Sequence, residues 1–286
     1  MQDFKQEIDR YGAKDLAQRQ RWYSPAADAY NRTRPRYPQA LIQQVIEIAQ
    51  LSCHSSILEV GCGPATATTA IAPYGCSITA LEPNPDFYQI AQQNCAAYPN
   101  VELCNVSFEE WIPEAAPFDV VLAATSFHWI PATIGYPKSA HILQEPGYLI
   151  LLWNKELQPT EAVYQSLQAV YQKYTPSLAR YETQAQQEEI LRKLGQIITD
   201  SGYFYPPISG QVKADVTYTV EDYLTLLNTY SPYLKLEPST KTALFAELRD
   251  TITKQWGETL NLSYLSAFHI ARKNLAVHSS PSSKQQ

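Results

Sequence analysis

The chain has 286 residues, an ordinary apolar share and a formal net charge of −6, so it can bury a full core as one large domain or as one domain with an elaborated cap. The acidic balance argues against a nucleic-acid-binding face, which is normally basic, and no apolar run approaches the length of a membrane span. Five cysteines without metal-type spacing read as reduced thiols, and the polar N-terminus lacks a secretory pattern, so a cytoplasmic protein is expected.

Apolar positions at helical spacing predict a helix over 41–51. Continuous apolar runs follow at 56–60, 76–82, 101–105, 118–124 and 147–153. Their lack of alternation fits parallel strands covered on both faces. Asn84-Pro85-Asp86 supplies an N-cap and a first-turn proline, starting a helix that runs to about Ala97. Before the fifth strand only a short helix near 138–144 is expected, with Pro137 limiting its start and Glu145-Pro146-Gly147 ending it. Helices are predicted over 160–174, 183–200, 220–229 and 238–256, with β-rich runs at 212–219 and 261–271. The Ser-, Lys- and Gln-rich residues 278–286 are expected to be disordered. Strand–helix alternation of this kind gives a doubly wound α/β sheet. No internal repeat and no interdomain linker stands out.

The stretch Glu59-Val60-Gly61-Cys62-Gly63-Pro64-Ala65-Thr66 joins the first strand to a helix-forming run. Glycine at such a turn lets the backbone come close to a ligand. Nineteen residues after Gly63, Glu82 ends the next strand-like run. A glycine turn followed at that distance by a carboxylate is the plan of a site for a ribose-containing cofactor. The dinucleotide fingerprint requires a third glycine where Thr66 stands, so a nicotinamide-dependent oxidoreductase is disfavoured. Cys62 reads as a small filler inside the turn.

The run Glu59-x-Gly61-x-Gly63-x-Ala65 resembles the first motif of class I S-adenosylmethionine-dependent methyltransferases, with Ala65 at the usual third glycine. Asn105 to Trp111 stands where that family holds adenine, with Val106 or Ser107 near the place of its common Asp. Phe118 to Ala124 resembles the fourth strand, and the matches span roughly 38–156. The stretch from Ala27 to Pro38 and the pair His128-Trp129 are similar to the small-molecule group related to trans-aconitate methyltransferase. The resemblance implies a Rossmann-like, mainly parallel seven-stranded sheet closed by an antiparallel hairpin at 210–218 and 262–271. Residues 220–256 then become a helical insertion in that hairpin. It implies one methyltransferase domain over 1–286: a cofactor-binding core at about 38–156, cap elements at about 1–37, 157–200 and 219–258, and the tail at 278–286.

By the same resemblance the cofactor is S-adenosylmethionine, and the residues expected to bind it are Glu59, Gly61, Gly63, Ala65 and Glu82, together with Pro83, Ser107, Phe108 and Thr125. Its cationic amino group and sulfonium suit an acidic approach. His128, just beyond the fourth strand, is the candidate catalytic group: it either orients the acceptor or packs beside Trp129 and shapes the pocket. Trp129 reads as pocket wall. Tyr23 and Tyr30 either close over the methionine end or pack within helices. Arg34 and Arg36 could fork onto an anionic acceptor, and Arg34 could instead pin the N-terminal element. The histidines lack ligand spacing, so no metal is expected. The expected partner is a small-molecule methyl acceptor, with neither nucleic acid nor membrane. A tRNA methyltransferase and a non-catalytic cofactor-binding protein are the alternatives.

Overall fold

The computed structural model describes residues 12–113 and 117–277. Residues 1–11 of the expected cap and the tail at 278–286 lie outside the described residues.

The apolar runs form β1 (Ser56–Val60), β2 (Ser77–Leu81), β3 (Val101–Cys104), β4 (Phe118–Ala124) and β5 (Leu143–Asn154). They pair in parallel in the order β3-β2-β1-β4-β5, with Glu59 opposite Ala80, Leu58 opposite Val121 and Leu122 opposite Ile150. The order reverses between β1 and β4, and the crevice at that switch point lies outside the strands' carboxyl ends, where open α/β sheets bind ligands. Beyond β5 the sheet becomes antiparallel. A two-residue strand β6 (Gln158–Pro159) and the long strand β7 (Ile208–Thr219) both pair with β8 (Thr259–Arg272), and β8 pairs with β5. The seven expected strands are therefore present, and β6 makes an eighth.

Alternate residues of each strand face opposite layers. Ile57 joins a core with Leu41 and Val45 from α3 (Gln39–Ala49) and Ile71 from α4 (Thr68–Ile71). Asn84 caps α5 (Pro85–Cys95) through its side chain, and Ala91 buries that helix in the same layer. Leu58, its neighbour in β1, packs on the other face with Ala140 of α6 (Ala132–Ile142). The third core lies around the hairpin end and the helices α7 (Glu161–Tyr174), α9 (Val220–Leu227) and α11 (Pro238–Trp256). Each fully buried leucine in these layers contributes roughly 1.5–3 kcal/mol.

Three sequence expectations are corrected. Pro137 does not limit a helix start; it lies inside α6, which begins at Ala132. Gly135, Tyr136, Ser139, Ala140 and Ile142 are buried in α6, and that packing offsets the N–H bond that proline cannot make. The stretch Glu145-Pro146-Gly147 is a bulge within β5: Phe118 is opposite Leu143 and Val120 opposite Tyr148, with a register shift between. Finally α8 (Gln184–Asp200), expected among the cap elements, covers the sheet. Its Leu191 and Ile198 pack in the layer of Leu58, against β8.

Preceding α3, the chain forms α1 (Leu16–Arg21) and α2 (Ala27–Thr33). Asp15 caps α1, which buries no residue of its own. α2 packs on α9, so the N-terminal segment meets the hairpin insertion. A further short helix, α10 (Ser231–Leu234), follows α9. Among the described residues no helix is long and apolar enough to cross a membrane.

Candidate functional site

The turn after β1 is shaped by positive φ angles. Gly61 has φ +67°, and a Cβ there would sit 2.9 Å from Cβ of Ser126. Gly63 has φ +59°, and a Cβ there would meet no atom within 4 Å. The first glycine is needed for the turn's own packing; the second leaves space beside the backbone. Both line a cavity at the carboxyl ends of β1, β2 and β4.

Glu82 crosses this turn. Its Oε2 accepts the Gly63 N–H at 2.7 Å and its Oε1 accepts the Asn84 N–H at 2.8 Å. The residue is 5% exposed and lines the cavity. Burial pushes its carboxyl up to about 7, against two backbone donors that pull it down. Each oxygen retains acceptor capacity after one N–H bond.

Glu59 has a different place. It is fully buried, accepts the Thr68 hydroxyl at 2.6 Å and does not line the cavity. Burial pushes its carboxyl up to about 8. The expectation that Glu59 meets the cofactor is corrected: it lies beneath the turn and ties it to α4. Ala65 is also turned into the core, with φ +63°, a region costly for any residue bearing a Cβ. It too is corrected from cofactor contact to turn geometry. Burial raises the Cys62 thiol well above its ordinary value, in keeping with a filler.

Opposite, Thr125 directly follows β4, and its φ of +56° is strained for a β-branched residue. Its hydroxyl pairs with Tyr37 Oη at 3.0 Å and accepts the Asn154 N–H at 3.3 Å. Asn154 Nδ2 donates to the Pro35 carbonyl at 3.1 Å, tying β5 to the N-terminal segment. On the β2–β3 side, Pro83, Ser107 and Phe108 line the cavity. Lys138 Nζ donates to the carbonyls of Phe108 and Trp111, both at 2.5 Å, and fixes that loop.

The cap residues Tyr23, Tyr30, Arg34 and Trp129 line the same cavity. Tyr23 stands edge-on to Trp129 at 5.7 Å and to Tyr30 at 5.6 Å between ring centroids. Arg34 donates from Nε to Thr229 Oγ1 at 2.8 Å and from NH2 to the Thr229 carbonyl at 2.9 Å. Arg36 instead bonds Thr66 and Asn31 at the surface and does not line the cavity.

His128 is corrected. It does not line this cavity but a second one, with Phe127, Trp153 and Ile197. Residues Phe127–Trp129 form a 3-10 turn, in which successive side chains are a third of a turn apart. Ser126 and Trp129 therefore share the cavity side, and His128 faces away. Burial lowers its imidazole to about 4, which keeps it neutral at pH 7.

Sequence reasoning did not single out Arg19, Tyr37, Asn154 or Tyr230, which also line the cavity. Tyr37 falls within the stretch from Ala27 to Pro38 that carried the resemblance. Arg19 carried no signal, because its role depends on a tertiary ion pair with Glu109 at 2.6 Å.

Comparison with known proteins adds to this geometry. Residues 57–145 match the family described as a methyltransferase domain. Over these residues the chain carries a methyltransferase domain. An uncharacterized methyltransferase of Mycobacterium tuberculosis is 29% identical over 132 residues, 46% of this chain and 51% of the relative. The chain thus spans about half the length of the mycobacterial relatives it matches. An uncharacterized methyltransferase-like protein of Schizosaccharomyces pombe is 27% identical over 234 residues, 79% of this chain and 83% of the relative. A solved structure of a proposed type II methyltransferase from Anaeromyxobacter dehalogenans has a TM-score of 0.63 at 20% identity, covering 84% of this chain and 97% of that one. This likeness shows the fold.

The residues present fit the methyltransferase cofactor. Gly63 leaves open space, Glu82 presents a carboxylate with acceptor capacity, and the cavity is walled by aromatic rings.

Proposed function

We propose that the chain transfers the sulfonium methyl of S-adenosylmethionine to a small-molecule acceptor, as a single cytoplasmic methyltransferase unit whose cap selects the acceptor. The observation that carries this reading is Glu82 beside the open side of Gly63. A buried carboxylate held by two N–H groups accepts both ribose hydroxyls as donors. When bound, S-adenosylmethionine supplies an electrophilic methyl on a leaving group that departs neutral.

The chain's own residues need mainly to align the acceptor and exclude water. Ser107 and Phe108 border the adenine end. Tyr23, Tyr30 and Trp129 form an aromatic wall suited to a small organic molecule. No histidine lines the cavity among the described residues, so the reading assigns no histidine base and His128 serves as packing. The net charge of −6 supports a small molecule over a nucleic acid.

Calorimetry with S-adenosylhomocysteine and NAD tests the cofactor. Binding of the first and not the second is expected; tighter binding of NAD would overturn the reading. Incubating the protein with isotopically methyl-labelled cofactor and a metabolite extract tests the acceptor, and label should enter a small molecule and not RNA.

A further inference from the structure

The sheet ends on the hairpin side in an open edge. β5 and β6 pair with one edge of β8 and β7 with the other, and among the described residues no strand pairs with β7 from outside. In an antiparallel ladder, alternate residues turn both N–H and C=O towards the same neighbour. Val220, which continues the register of β7, donates its N–H to the Glu258 carbonyl at 3.0 Å. The even-numbered residues of β7 therefore face β8, and Ser209, Gln211, Lys213, Asp215 and Thr217 turn their backbone groups outwards. Proline or a bulge commonly blunts such an edge. β7 has neither: it pairs with β8 residue for residue from Ile208 to Thr219, and no proline lies within it.

The side chains on this edge are self-complementary. Lys213, Asp215 and Thr217 are exposed, whereas Val212, Ala214 and Val216 are half-buried on the other face. Let two copies of β7 lie antiparallel about a two-fold axis at Ala214. Lys213 of each copy then falls opposite Asp215 of the other, in a hydrogen-bonded pair. Gln211 falls opposite Thr217, and Val212 opposite Val216. Ala214 meets its own equivalent in a non-hydrogen-bonded pair, where Cα atoms approach to about 4.5 Å and a small side chain is accommodated. An axis at Lys213 or at Asp215 would set like charges opposite each other, which is destabilising. An axis at Val212 or Val216 would leave both charges opposite uncharged residues.

We propose that β7 is the interface of a homodimer, in which the sheets of two copies join across a two-fold axis at Ala214. The contact is isologous, so one strand supplies both halves of it. Main-chain hydrogen bonds along the edge hold the copies together, and the Lys213–Asp215 pairs fix the register. Tyr218 of the same strand donates from Oη to the Thr33 carbonyl at the end of α2, so the interface strand also holds the cap.

Sedimentation velocity on the full chain, from about 1 to 100 µM, tests this. The wild type should pass from monomer to dimer over that range. Asp215→Lys and Lys213→Asp should each weaken the dimer about tenfold or more, because each sets like charges opposite at two symmetric places. Mixed together, the two variants should form a heterodimer, and exchanging both residues within one chain should restore the homodimer. Both positions are exposed, so melting curves near that of the wild type should confirm that the variants fold. Register is read by oxidation and peptide mass spectrometry: Ala214→Cys should link to its own equivalent, and Thr217→Cys, opposite Gln211, should not. A wild type that stays monomeric throughout would overturn the proposal. So would a dimer that both charge reversals leave intact, or one in which position 217 links to itself and position 214 does not.

Discussion

Glu82 combines a structural task with a proposed binding one, and a single truncation removes both. Its oxygens hold the N–H groups of Gly63 and Asn84, so Glu82→Ala leaves both donors unpaired as well as removing the proposed ribose acceptor. The expected outcome is a loss of roughly 1–3 kcal/mol in unfolding free energy together with weakened S-adenosylhomocysteine binding. Denaturant titration and calorimetry read the two effects. Because burial raises this carboxyl to about 7, ribose recognition by the ionised form should strengthen as pH rises from 5 towards 7 and then level off. Affinity that is flat over that range would contradict the assignment. Glu59 is the contrasting case: its folded value of about 8 lies above that of an unfolded glutamate, so the native state holds the proton longer. Its stabilising contribution is complete below about pH 4.5 and is lost as pH rises towards 8. Glu59→Gln, which never ionises, should flatten the fall in thermal midpoint of the ligand-free protein between pH 5 and 8. The spacing of Gly63 and Glu82 was legible in the sequence because one strand–helix–strand unit sets it. The facing of His128 was not, since a three-residue 3-10 turn decides it and leaves no periodic pattern.

At the scale of elements, the segment from Asp15 to Tyr23 bridges two otherwise separate walls of the cavity. Arg19 pairs with Glu109 at 2.6 Å and also donates to the Trp129 carbonyl. Trp22 Nε1 donates to Ser231 Oγ at 3.1 Å, and Tyr23 Oη lies 3.0 Å from the same hydroxyl. α1 buries nothing, so these polar contacts hold it where a core would hold other helices. Arg19→Ala should therefore raise the dissociation rate of S-adenosylhomocysteine by about tenfold, while the thermal midpoint of the ligand-free protein stays near that of the wild type. Stopped-flow displacement and a melting curve check this. An unchanged dissociation rate would show that the segment does not retain the ligand. The helices at 161–174 and 238–256 were legible in the sequence almost to the residue. α6 was not, because a proline inside a helix reads as a boundary when the buried face that sustains it is unseen.

Across the whole molecule, β8 links the cofactor floor to the cap. Leu265, Ala267 and Ala271 belong to a core layer of the main sheet, whereas Leu260, Leu262 and Tyr264 belong to the core of the insertion. Sequence showed the two hairpin strands and the helices between them, but not that the insertion has a core of its own. That core contains Leu244 and Leu248 of α11, both fully buried, and the Tyr171–Tyr233 hydroxyl pair at 2.8 Å. It also positions Thr229 and Tyr230, which hold Arg34. Because one continuous strand runs through both cores, their unfolding should be coupled. Leu248→Ala removes packing far from the glycine turn and should cost roughly 2–5 kcal/mol of stability. Unfolding in denaturant should remain a single transition by both fluorescence and circular dichroism, and S-adenosylhomocysteine should bind more weakly as well, since a loosened insertion releases Arg34 and the Ser231 latch. Two separate transitions, with ligand stabilising only the one reported by the sheet, would instead make the insertion an independent unit and remove it from the ligand site.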